Sequence, residues 1–157
     1  MMPWLTALEG TQFATWVRES NSIWAYPTVL TLHTVGLGVL VGANWALDLR
    51  LLGVAPRVPL APLRQLFPIM WFGFWLNAVT GVMLFAADAS TKGATRLFVV
   101  KLGLVLLAVI VVKFTDRSVF GTDPEDARVT GTGKMLAVAS LFLWAAAILA
   151  GRYMAYV

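Results

Sequence analysis

The chain has no cysteine, a single histidine, and charges on only 13% of its 157 residues. The absence of thiols excludes disulfides, iron–sulfur clusters and thiolate metal sites. Ordinary soluble domains carry about 25% charged residues. With 59% hydrophobic residues and a mean hydropathy of +0.79, this composition excludes a water-soluble globule. Acidic residues are the scarcer sign, eight against twelve Lys and Arg. The cations are scattered between apolar runs and form no basic face that could follow a nucleic-acid backbone, so nucleic acid is not an expected partner. A phosphate loop, a nucleophile triad, a carboxylate dyad and a metalloprotease helix are all missing. There is also no internal repeat, low-complexity tract or second domain, which leaves one membrane domain over 1–157.

What is present is long apolar runs. A helix needs about 20 mostly apolar residues to cross about 30 Å of hydrocarbon. Four windows meet that length, at about 23–47, 66–87, 97–115 and 135–156. Pro27 and Pro68 fall near the starts of the first two, where a missing backbone donor costs least. Trp24, Tyr26 and Trp45 mark the edges of the first and suit the headgroup levels, while Trp71 and Trp75 lie in the second. Before these spans, 3–19 mixes Trp4, Leu8, Phe13, Trp16 and Val17 with polar residues. It is too short and polar to cross and reads as an interfacial amphipathic helix anchored by Trp4 and Trp16. It lacks the pattern of a cleaved signal peptide and is expected to be retained. The expected fold is therefore all-α: an integral four-transmembrane-helix bundle with an N-terminal interfacial helix.

Basic residues beside the spans set the expected orientation. One side carries Arg50, Arg57, Arg64, Lys113, Arg117, Arg128 and Lys134, and the other Arg18, Lys92, Arg96 and Arg152. Cytoplasmic loops collect Lys and Arg, so both termini are expected outside, in the periplasm of a bacterium. The Asp123-Pro124-Glu125-Asp126 segment reads as the start of a short cytoplasmic helix. Asp48 and Arg50, just past the first span, read as topology and capping residues that could pair at the inner interface.

Ionisable groups inside the spans are expensive, costing several kcal/mol on insertion scales (about 3 for a charge at mid-span), and each needs an explanation. His33 falls near the middle of the first span. At 3.6 residues per turn it shares a stripe with Tyr26, Gly36, Leu37, Leu40 and Asn44, which should face protein. Gly38 and Gly42 have the small-xxx-small spacing that admits another backbone or a flat ligand. His33 could be a neutral imidazole bonded to a neighbouring helix's carbonyl or to Asn77. It could instead ligate haem iron, or copper with help from Met70, Met83 or Met154, or relay protons. Lys101 lies one turn inside the third span and Arg152 near the end of the fourth, next to Gly151 and one turn before Tyr156. Either cation could snorkel to the headgroups or face inward to pair with a propionate or another carboxylate. Asn77, Thr80 and Gly81 form a polar, small-residue strip suited to helix–helix hydrogen bonds. The run Met70 to Trp75 reads as a lipid and packing surface.

Tyr26-Pro27, Leu32-His33, Asp48-Leu49-Arg50-Leu51-Leu52-Gly53, Phe98 with Lys101-Leu102, and Trp144 with Gly151-Arg152 and Tyr156 resemble an uncharacterised family of short four-helix bacterial inner-membrane proteins. More distantly, the first-span histidine and third-span Lys-Leu resemble the copper resistance protein D family and the HemJ-type protoporphyrinogen oxidases. The latter resemblance implies haem b held by His33 with Lys101 near the porphyrin. This chain departs from both patterns in having no second histidine, so a haem here would be five-coordinate, methionine-ligated or shared between two chains. The reading that follows is a haem b protein in electron transfer or porphyrin redox chemistry, with His33, Lys101, Arg152, Asn77 and Tyr26 at the site. Its competitors are a cofactor-free membrane subunit and a copper-handling protein. Expected partners are the lipid bilayer and either further copies of the chain or a larger membrane complex.

Overall fold

The computed structural model describes residues 3–121, 127–154 and 156. Every regular element among them is helical: α1 (Pro3–Glu9), α2 (Gln12–Glu19), α3 (Tyr26–Leu51), a 3-10 turn (Ala61–Gln65), α4 (Leu66–Ala87), α5 (Ala89–Gly93), α6 (Arg96–Phe120) and α7 (Gly131–Tyr153). Four helices, α3, α4 with its preceding 3-10 turn, α6 and α7, are long and apolar enough to cross a membrane, the build of a multi-pass membrane protein. Their outward faces carry large apolar side chains. Phe142 is 72% exposed, Val82 and Val99 68%, and Phe72 66%.

The helix limits follow local chemistry. Pro27 opens α3, where its missing N–H leaves no intrahelical bond unmade. At the other end Gly53, at φ +102°, takes a left-handed conformation. Its own N–H bonds the Arg50 carbonyl at 3.2 Å and the Val54 N–H bonds that of Leu49 at 2.9 Å, a Schellman closure of α3. Thr130 caps α7 by accepting from the Gly133 N–H at 2.9 Å. The predicted single helix over 3–19 is two short helices. Gly10 ends the first, and Thr11 caps the second by accepting from Ala14 at 3.3 Å. The segment 123–126, expected to begin a helix, lies outside the described residues.

The hairpin α3–α4 packs against the hairpin α6–α7, mainly through α3 and α7. Gly36 and Gly73 set the α3–α4 distance, because a Cβ on either would lie under 3 Å from the other helix's backbone. This corrects the expectation for Gly38 and Gly42, around which nothing lies within 4 Å. One half of the bundle is a solid core. There Leu47, Leu51, Phe67, Met70, Phe120 and Trp144 are all buried, and Phe67 meets Phe120 edge-on at 5.7 Å. The other half, toward the start of α3 and the end of α7, is hollow.

Asp48 also departs from its predicted role. It is only 1% exposed and accepts from the Asn44 amide at 2.6 Å, while the same amide nitrogen lies 2.6 Å from the Ser140 hydroxyl oxygen on α7. It makes no pair with Arg50, whose guanidinium donates to the Val58 and Pro56 carbonyls at 2.7 and 2.9 Å. Residues two apart on a helix point to nearly opposite sides, so Asp48 turns into the bundle and Arg50 to the following loop.

α1 and α2 pack on the end of α4 and on α5. Glu9 accepts from the Ser90 N–H at 3.0 Å, and Arg18 joins Glu9 at 2.9 Å and the Ala87 carbonyl at 3.3 Å. Ala14 and Val17 face inward, leaving Trp4, Phe13 and Trp16 exposed.

Candidate functional site

The hollow half contains two adjoining cavities of about 220 and 210 Å³, which share His33, Lys101, Gly151 and Arg152 in their walls. Leu37, Leu40, Phe74, Val105 and Ile148 make the deeper one apolar, and Trp144 forms part of its floor. Tyr26, Phe85, Phe98, Lys92 and Met154 line the outer one. Each alone is smaller than the roughly 300–1,000 Å³ of typical small-molecule sites; joined, they fall within that range. The Lys101 side chain stands at the junction. A Cβ on Gly151 would meet its Cε and Nζ at 3.3 Å, so the absence of a side chain there makes room for the lysine.

The stripe on α3 turns inward as expected from His33 down: Gly36, Leu40 and Asn44 are buried, and His33 and Leu37 are half-buried. Tyr26, at the helix start, is 40% exposed and lines the outer cavity but not the deeper one.

The hydrogen bonds of His33 fix its tautomer. Nδ1 lies 2.9 Å from the Asn77 carbonyl and 3.1 Å from the Thr80 hydroxyl. The Thr80 hydroxyl donates to the Leu76 carbonyl at 2.6 Å, so its oxygen is free to accept. A carbonyl can only accept, so Nδ1 carries the proton and the Nε2 lone pair is left available. The Asn77 side-chain amide donates to the His33 carbonyl at 2.8 Å and stands 3.4 Å from Nε2, a long contact consistent with that lone pair. Gly81 leaves space for the ring, since a Cβ there would come within 3.1 Å of Cε1.

Two cations stand in the same cavity walls as this imidazole. Lys101 is half-buried inside the bundle, and Arg152 lies over the Tyr156 ring with 5.6 Å from guanidinium carbon to centroid. Among the described residues no carboxylate pairs with either, and neither cavity wall includes Asp or Glu. His33, Lys101, Arg152 and Asn77 all line the deeper cavity. Of the three methionines weighed as copper ligands, Met154 shares the outer cavity with His33, and Met70 lines a separate small void on the solid side of Trp144. Among the described residues no group of three or more His, Asp or Glu side chains gathers around a point.

Gly151 as the seat of Lys101 and Trp144 as the floor were not singled out from the sequence as parts of a site. The spacing of Trp144, Ile148, Gly151 and Arg152 places all four on one side of α7, the only sequence signal that links them. No family model matches the chain, and no curated protein or solved structure matches it either.

A neutral imidazole with one nitrogen tied to a carbonyl is the usual state of a metal-binding histidine. The walls are apolar, and two cations without a carboxylate partner among the described residues stand on the outer side of the ring.

Proposed function

We propose that this chain is a multi-pass protein of the bacterial inner membrane that holds haem b through His33 and serves electron transfer or porphyrin redox chemistry. The observation that carries the reading is the Nδ1 contact of His33 with the Asn77 carbonyl, which leaves Nε2 as the nitrogen able to bind a metal. Haem b, when bound, supplies a one-electron couple whose potential depends on axial ligation and on the polarity of the pocket. Lys101 and Arg152 would hold its propionates through charge-assisted hydrogen bonds, and Asn77 and Thr80 would keep the imidazole oriented. Leu37, Phe74, Val105 and Ile148 keep water from the site. Tyr26 belongs to the outer cavity and would border the carboxylate edge.

In this reading both termini are periplasmic and the hollow half faces that side. The α1–α2 pair lies at the interface with Trp4 and Trp16 directed to lipid. A single histidine per chain also makes a homo-oligomer sharing one cofactor a natural assembly.

The test is an absorption spectrum of the purified protein produced with excess haem. A Soret band that His33→Ala abolishes is the expected result, and a colourless wild-type protein would overturn the reading. A second reading, a cofactor-free subunit of a membrane complex, draws on the same hydrogen bonds. Both ring nitrogens of His33 already have protein contacts, so the imidazole is satisfied without a metal. Elemental analysis without metal, together with loss of assembly in His33→Ala, would favour it.

A further inference from the structure

Three helix pairs of the bundle have backbones in contact: α3 with α4, α6 with α7, and α3 with α7. A further pair, α4 and α6, is bridged chiefly by side chains. Phe85 stacks on Phe98 at 4.6 Å, Lys113 sits 5.6 Å over the Trp71 ring, and Phe67 meets Phe120 farther down. Between the first two of these bridges, Phe74 and Asn77 on α4 and Lys101 and Val105 on α6 line the deep cavity, and all four are only half-buried. An apolar cavity with cations inside it thus adjoins a seam that side chains, more than backbones, bridge.

We propose that this seam is a lateral window through which an amphipathic, carboxylate-bearing ligand reaches His33 from the bilayer. The chemistry of the two available routes favours it. The lateral path runs past Phe74 and Val105, which suit an apolar ring leaving hydrocarbon. Lys101 waits at its inner end for an acid group. The axial path, from the end of the bundle, runs through a cavity of about 350 Å³ that includes Thr91, Thr95 and the ion pair of Asp88 with Lys92 at 3.6 Å. An ion pair and hydroxyls at that opening suit water and headgroups better than an apolar ring leaving hydrocarbon. Taking haem as the ligand rests on the function proposed above, whereas the window itself rests on the helix seams.

Because the chain has no cysteine, two introduced thiols are the only ones present. The antiparallel register of Phe85 with Phe98 and Trp71 with Lys113 places Val82 level with Leu102, and Ala78 level with Leu106. Val82, Leu102 and Leu106 are exposed, and none of the four residues lines a cavity. Two variants, Val82→Cys with Leu102→Cys and Ala78→Cys with Leu106→Cys, are bridged with a short bismaleimide in liposomes, and haemin uptake is followed by the rise of the Soret band. The bridge should slow uptake at least about tenfold relative to the unbridged protein. Bridging after loading should slow transfer to apomyoglobin similarly, and Thr91→Trp at the bundle end should leave the rate unchanged. Equal rates with and without the bridge in both pairs, or slow uptake in Thr91→Trp, would overturn the window. If the unbridged protein takes up no haemin, the haem reading fails, and the window is judged by a nitroxide on Val105→Cys. Oxygen dissolved in the bilayer should relax that label. Relaxation only by a water-soluble nickel chelate, or by neither agent, would refute the window.

Discussion

Gly36 and Gly73 face each other across the α3–α4 seam at a distance that no side chain would allow. A Cβ on Gly73 would stand 2.7 Å from the Leu40 backbone nitrogen, and one on Gly36 2.8 Å from that of Asn77. Backbone cannot rotate aside as a flexible side chain can. Gly36→Ala and Gly73→Ala should each lower stability by about 1–3 kcal/mol through overpacking. Gly38→Ala, with open space around it, should be neutral or stabilising by up to about 1 kcal/mol, since alanine is the better helix former. Denaturant titration in mild detergent measures all three, and equal effects at Gly36 and Gly38 would contradict the close seam.

The Asn44 amide holds Asp48 and Ser140 together at the solid end of the bundle. Asn44→Leu removes the donor from a buried carboxyl and should cost about 2–4 kcal/mol. The double variant Asn44→Leu with Asp48→Leu removes the demand as well as the donor and should recover part of that loss. A double variant no more stable than Asn44→Leu alone would show that Asp48 does not depend on this amide.

Acid should release the N-terminal helices from α5. The Glu9 carboxyl is held below its ordinary value of 4.5, first by hydrogen bonding to the Ser90 side chain and then by the Ser90 backbone N–H, with Arg18 adding charge attraction. A lowered folded-state pKa contributes stability that is complete above the unfolded value and is lost as pH falls through the folded one. Docking of α1 and α2 should therefore hold above about pH 4.5 and weaken below it. Trypsin cleavage after Arg18, or the emission of Trp4 and Trp16, follows the change. Glu9→Gln should remove the acid dependence.

The orientation of His33 should be measurable as affinity for haemin. Thr80→Val removes one of the two acceptors at Nδ1, and residues that orient a metal-binding histidine typically contribute about 10–100-fold in affinity. The variant should thus bind haemin about tenfold more weakly while keeping a Soret band. Lys101→Met and Arg152→Met should weaken binding by roughly similar factors, each having lost a charge-assisted contact of about 1.5–3 kcal/mol. Neither cation variant should weaken binding of a porphyrin esterified at its carboxylates. Equal losses for the free acid and the ester would remove the two cations from the proposed site.

Much of this was legible from one-dimensional pattern. The lengths of apolar runs located four helices, and the 3.6-residue period placed His33, Gly36, Leu40 and Asn44 on the inward side of α3. The nearness of Lys101 to Arg152 followed from depth: each lies toward the same end of an antiparallel bundle. What pattern could not supply was pairing across helices. Gly38 and Gly42 have the spacing of a packing motif, but the partner glycine is Gly73, 37 residues from Gly36. Asp48 looked like an end residue because Arg50 follows it, yet α3 continues to Leu51 and Ser140 arrives from 96 residues beyond Asn44. The break at Gly10 was visible as a glycine, but a single glycine does not by itself end a helix.

The filled half of the bundle also acts as an insulator. From Leu40 to Leu51 the chain rises about 17 Å along α3, and among the described residues Leu47, Leu51, Met70, Phe120 and Trp144 pack that stretch down to one small void of about 10 Å³. A redox or carrier protein working with His33 would have to approach from the hollow end or from the side of the upper leaflet. Access to His33 is thereby one-sided, a terminus and not a through route.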